Sequence, residues 1–85
     1  MITFNIQANN GNFYRGHKPS NKYGNCWTGK EEDALTFTIE QARELVKIWK
    51  GFLKIVIALS AEPISESEFK KEIFCSNGGS WYDFN

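Results

Sequence analysis

Between Met1 and Lys30 the sequence contains no aspartate and no glutamate. Arg15, Lys18, Lys22 and Lys30 supply the formal charge of that stretch, and all ten acids lie in the fifty-five residues beyond it, among six further cations. A net charge of zero over 85 residues therefore divides into about +4 and about −4, a polarity that bears on the choice of partner.

Other shortages exclude whole classes of protein. Two cysteines, Cys26 and Cys75, are fewer than a small disulfide-held secreted domain carries, so both read as free thiols in a reducing cytoplasm. Only two prolines, set among 41% hydrophobic and 15% aromatic residues, separate the chain from disordered sequences. The longest apolar run, Ile55 to Leu59, falls far short of the roughly 20 residues that span a bilayer. The start, Met-Ile-Thr-Phe-Asn, has no basic region leading into an apolar one. Residues 1–85 are expected to form one cytoplasmic domain, monomeric or a small homo-oligomer, with no membrane partner.

The remaining absences concern chemistry. There is no Walker loop and no Gly-x-Gly-x-x-Gly fingerprint. His17 is the single histidine, and with Cys26 and Cys75 it forms none of the spacings that hold zinc. A Cys26 and His17 nucleophilic pair would need a third, orienting group that no motif indicates. Glu31, Glu32 and Asp33 lack the alternating ligands of a calcium loop, while Glu62, Glu66, Glu68 and Glu72 lie on a polar segment beside Lys70 and Lys71 and read as solvated surface. No catalytic residue, metal or cofactor is expected.

What is present is a readable fold. Ile2, Phe4, Ile6 and Ala8 alternate with polar residues as in a strand with one buried face. Asn10-Gly11 then turns the chain into Phe13-Tyr14-Arg15, completing a hairpin. Gly16 to Gly24 is a loop, Asn25 to Thr28 a short strand and Gly29 to Asp33 an acidic turn. Thr38 and Gln41 have capping-box spacing, so a helix should begin at Ile39. Ala42, Leu45, Val46 and Trp49 form its apolar stripe, with Gly51 expected as the C′ residue. Phe52 to Leu59 is apolar on both faces and reads as a central strand deep in the sheet. Ser65 and Glu68 repeat the cap spacing ahead of a turn or two of helix. Ile73-Phe74-Cys75 and Trp81-Tyr82-Asp83-Phe84 then read as strands about an Asn77-Gly78-Gly79 turn.

These elements give an α+β fold, a two-layer sandwich of order β-β-(β)-α-β-(short α)-β-β. One amphipathic helix, about 39–50, packs on a mainly antiparallel sheet of four to six strands.

Phe13-Tyr14-Arg15-Gly16, Trp27-Thr28, Asp33-Ala34-Leu35-Thr36-Phe37-Thr38, Gln41-Ala42 and the strand from Phe52 together resemble a pattern of small phage- and prophage-encoded proteins. The resemblance covers roughly two thirds of the chain and marks a scaffold, in which Trp27, Ala34, Phe37 and Ala42 pack sheet against helix. It implies kinship with anti-CRISPR and other anti-defence inhibitors, which bind and block a host protein. The charge balance departs from the strongly acidic, DNA-mimicking kind of inhibitor.

The expected function is thus a small non-enzymatic binding protein that modulates a larger host protein or complex, with an acidic surface as the favoured complement. Its contact residues would be Tyr14, Arg15, His17, Lys18, Lys22, Tyr23 and Lys30, or else an exposed sheet edge. The alternative is a nucleic-acid-binding module using the basic aromatic loop 14–30, in which cations meet phosphates and rings stack on bases. Overall neutrality argues against that module, and core packing would withdraw the rings from it.

Overall fold

The computed structural model describes residues 2–19, 25–51, 53–59 and 62–84. Lys22, Tyr23 and Phe52, named above, lie outside the described residues. Four strands and two helices follow in order: β1 (Phe4–Ala8), β2 (Phe13–Tyr14), β3 (Trp27–Thr28), α1 (Ile39–Trp49), β4 (Leu53–Ile57) and α2 (Glu66–Ser76). Short 3-10 turns at Glu31–Asp33 and Trp81–Asp83 complete the fold. The strands form one antiparallel sheet of order β3-β2-β1-β4, an α+β arrangement consistent with the expected sandwich.

The N-terminal hairpin forms where its sequence places it, but the expected division into a buried and a wet face does not hold: Ile2 is 66% exposed, whereas Thr3 and Asn5, on the face expected to be wet, are buried by the segments packed on either side of β1. Asn10-Gly11 reverses the chain with Gly11 at φ +92°, and Ala8 N–H donates to Asn12 O at 2.7 Å. On β1, Ile6 is buried and Phe4 packs against the core. Phe4 also exchanges two 2.8 Å backbone bonds with Phe37, which fastens the segment ahead of α1 to the sheet.

Helix α1 begins where its capping box places it. Gln41 N–H donates to Thr38 Oγ1 at 3.2 Å and Gln41 Oε1 accepts from Thr38 N–H at 3.0 Å, satisfying two otherwise free amides. Ala42 and Leu45 are fully buried, and Val46 and Trp49 flank them against the core. The helix end differs from expectation, because Lys50 and not Gly51 takes the left-handed conformation, at φ 45°.

Two larger differences lie beyond α1. Residues 66–76 are one continuous helix, where a strand at Ile73-Phe74-Cys75 was expected. Ser65 Oγ caps its start by accepting from Glu68 N–H at 3.1 Å. Asn77-Gly78-Gly79 closes the helix instead of turning a hairpin: Gly78, at φ 98°, donates to Cys75 O, and Gly79 donates to Phe74 O, each at 3.0 Å. This is the paired bonding of a Schellman motif, which uses the same residues as a tight hairpin. The Phe74 ring lies over Gly79, where a Cβ would meet it at 2.3 Å. Trp81 to Asp83 accordingly forms a 3-10 turn and not a last strand.

With that segment helical, β4 has a neighbouring strand on one side alone among the described residues. Residues Leu53–Ile57 form the sheet's edge, not its centre. Among the described residues β4 pairs with β1 alone, in the register Phe4↔Ile57 through Ala8↔Leu53.

Candidate functional site

Helix α2 buries Phe69, Glu72 and Cys75 along one stripe. An acid on that stripe is unusual, since a carboxylate removed from water costs several kcal/mol unless bonds replace its hydration. Glu72 is 1% exposed, and its replacement bonds all come from the segment that leaves β2. Tyr14 OH donates to Oε1 at 2.6 Å. His17 N–H donates to both carboxylate oxygens, at 3.1 and 3.0 Å. His17 Nδ1 lies 2.8 Å from Oε1 and 2.8 Å from Tyr14 OH. With the tyrosine proton given to Glu72, the network assigns a proton to Nδ1 that the carboxylate accepts.

Between Tyr14 and His17 the backbone must pass close to the carboxylate. Gly16, buried at φ 92°, permits this, because a Cβ there would lie 2.6 Å from Glu72 Oε2 and 2.7 Å from Leu35 Cδ1. Aromatic rings enclose the network. Trp49 stacks on His17 with centroids 6.0 Å apart and planes within 13°, and Trp27 meets Tyr14 edge to face at 5.4 Å. Phe37 lies beneath Tyr14 at 6.2 Å.

This enclosure sets the electrostatics. Burial, then the negative charge of Glu72 and the bond to it, holds the Tyr14 phenol far above its ordinary range. Burial first and Glu72 second also raise the Cys26 and Cys75 thiols. Both cysteines are free, as expected. A raised thiol pKa is the reverse of what an attacking thiolate needs, so Cys26 has the properties of a packing residue. No group of three or more His, Cys, Asp or Glu able to hold a metal occurs among the described residues.

The seven expected contact residues are placed very differently from one another. Tyr14 is 1% exposed and belongs to the core, so it offers no surface to a partner. His17 keeps 21% of its side chain exposed and faces Glu72. Arg15 is half-buried, its Nε donating to Asn25 O at 2.9 Å. Lys18 Nζ pairs with Glu68 Oε1 at 3.3 Å across the surface of α2. Lys30 is exposed, and Lys22 and Tyr23 fall outside the described residues.

Glu72 was read as solvated surface and is instead the centre of the site. A helix running to Ser76 would have exposed the signal, because Phe69, Glu72 and Ile73 then share one face at i, i+3 and i+4.

Compared with protein-family models, with curated proteins and with solved structures, the chain has no match. No helix among the described residues is long and apolar enough to cross a membrane.

Proposed function

We propose that the protein is a small non-enzymatic binding protein that docks on a larger host protein and modulates it, as phage-encoded inhibitors of the anti-CRISPR kind do, in the cytoplasm of the host cell. The observation that carries this reading is where Glu72 directs its bonds. In an enzyme, a buried carboxylate paired with a histidine orients the imidazole toward a reacting group. Here the carboxylate also takes the His17 N–H and the Tyr14 hydroxyl, so its bonds fix the conformation of the chain from Tyr14 to His17. A loop held this way binds without a large ordering cost, which favours recognition.

The docking surface proposed is the start of that loop, Arg15 to Lys18, together with Lys30. Glu68 answers part of its charge, so a modestly acidic partner surface suffices. Nucleic-acid binding is the less supported alternative. Among the described residues of the loop, Tyr14 is buried and Trp27 packs on the core, which leaves neither ring available to stack on a base.

The test is affinity capture from host lysate with the native chain and with an Arg15→Glu, Lys18→Glu double variant whose fold is verified by circular dichroism. Loss of a specific protein partner on charge reversal supports the reading. Equal recovery by both chains rejects the loop as the docking surface.

A further inference from the structure

The residues Leu53-Lys54-Ile55-Val56-Ile57 have the composition of a central strand, yet β4 is the last strand of its sheet. Apolar, β-branched sequence on both faces belongs to strands paired on both sides. Exposed edges normally carry charges, prolines, bulges or very short strands, which discourage pairing. β4 carries one such guard, Lys54, over five residues.

Its register shows what the open side presents. Ala58 N–H donates to Thr3 O at 2.9 Å, and Asn5 faces Val56. The alternation of an antiparallel ladder then turns the even residues 54, 56 and 58 toward β1 and the odd residues 53, 55 and 57 away from it. Leu53 N–H is already given to Gly51 O at 2.9 Å. The outward groups are thus the N–H and C=O of Ile55 and Ile57 and the C=O of Leu53. Beside them stand aliphatic side chains that the single chain leaves in water: Ile57 is 69% exposed and Leu59 88%.

We infer that the β4 edge is the interface of a homodimer, in which β4 pairs antiparallel with β4 of a second copy about a two-fold axis at Ile55. This register joins Ile55 to its own copy and Ile57 to Leu53 of the partner. It forms four backbone bonds, all from the outward groups and none from the Leu53 N–H. It places exposed Ile57 against the partner's Leu53, and Lys54 opposite the partner's Val56. A slip that centres the axis on Lys54 sets two ammonium groups directly opposite, which is destabilising. Isologous pairing needs no second kind of surface, and a chain of zero net charge does not repel its copy. The result is one continuous sheet of eight strands. This inference is independent of the proposed function, because Arg15 to Lys18 follow β2, which β1 separates from β4.

The test uses the purified full chain. Sedimentation velocity from low micromolar to near-millimolar protein should show a monomer–dimer equilibrium with a Kd of about 1 to 100 μM, the weak end expected for a small interface. Ile57→Lys, at a position already in water, should weaken dimerisation at least about tenfold with unchanged circular dichroism, each 1.4 kcal/mol being tenfold. Lys54→Val should tighten it. Amide exchange gives the register directly: Ile55 and Ile57 N–H should become protected as concentration rises. A monomer at every concentration overturns the inference, as does a dimer in which Ile57→Lys and those two amides are indifferent. Either result leaves the lysate-capture experiment unaffected.

Discussion

The two edges of the sheet are finished in different ways. At one, β3 is only two residues long, and the chain that leads toward it from β2 is fastened to α2 by the buried carboxylate of Glu72. At the other, β4 presents five residues of largely apolar backbone with a single lysine. Near the first edge the chain is anchored by its own polar groups, Tyr14 and His17 on Glu72, while the second has outward N–H and C=O groups and aliphatic side chains in contact with water. A chain this small has a limited core, and it places its one buried acid where that acid organises a surface.

The sharpest way to break the contrast is to remove the clamp. Glu72→Ala takes the acceptor from the His17 N–H, leaves the Tyr14 hydroxyl with His17 Nδ1 alone, and opens a cavity in a buried site, at a cost of about 3–5 kcal/mol. Urea denaturation should register this loss, with Glu72→Gln, which keeps one acceptor oxygen, falling between Ala and the native chain.

Alkaline pH attacks the same network through Tyr14. Its phenol is raised by burial and by Glu72 in the folded state, whereas an unfolded tyrosine ionises near pH 10. Above about pH 10 the unfolded chain therefore binds fewer protons than the folded one, and stability falls as pH rises, by up to about 1.4 kcal/mol per pH unit. Below that pH the contribution is fully present. Denaturation midpoints measured at pH 8, 10 and 11 should show the decline, and it should persist in Glu72→Ala, because burial, the larger cause of the raised phenol, remains.

Two glycines with the same backbone angle sharpen the comparison further. Gly11 and Gly16 both have φ 92°, but a Cβ at Gly11 meets nothing within 4 Å, while one at Gly16 collides with Glu72 and Leu35. Gly11→Ala should cost about 1 kcal/mol from backbone strain alone, and Gly16→Ala at least about 2 kcal/mol, read from the thermal midpoint. At the open edge the effect on folding should be smallest. Ile57→Lys should shift monomer stability by less than about 0.5 kcal/mol, although it acts strongly on self-association.

Much of the fold was legible because its determinants are local. Thr38 and Gln41 place the start of α1 by bonds within one turn, and the alternation from Ile2 to Ala8 marks β1 as a strand, although it does not show that Thr3 and Asn5 are buried as well as Ile6. The misreadings share a cause. Asn77-Gly78-Gly79 suits a hairpin turn and a helix end equally, so the choice between them belongs to what precedes it. A strand at Ile73, Phe74 and Cys75 hides the helical face that holds Glu72 and gives β4 a second neighbour, whereas the helix reveals that face and leaves β4 at the edge. The candidate site was legible only in half. His17 and the loop stood out by charge, but the partner of His17 is 55 residues away and bears no local mark.

That separation has a consequence for how the protein comes into being. The Tyr14 and His17 bonds to Glu72 span 58 and 55 residues of an 85-residue chain. During synthesis from the N-terminus, the hairpin and α1 emerge well before α2 is made. The loop must wait for Glu72, since contacts of long sequence separation form only after the intervening chain is available to close. The proposed docking surface is consequently among the last features to mature, and a nascent or truncated chain that lacks α2 displays the basic segment without its shape.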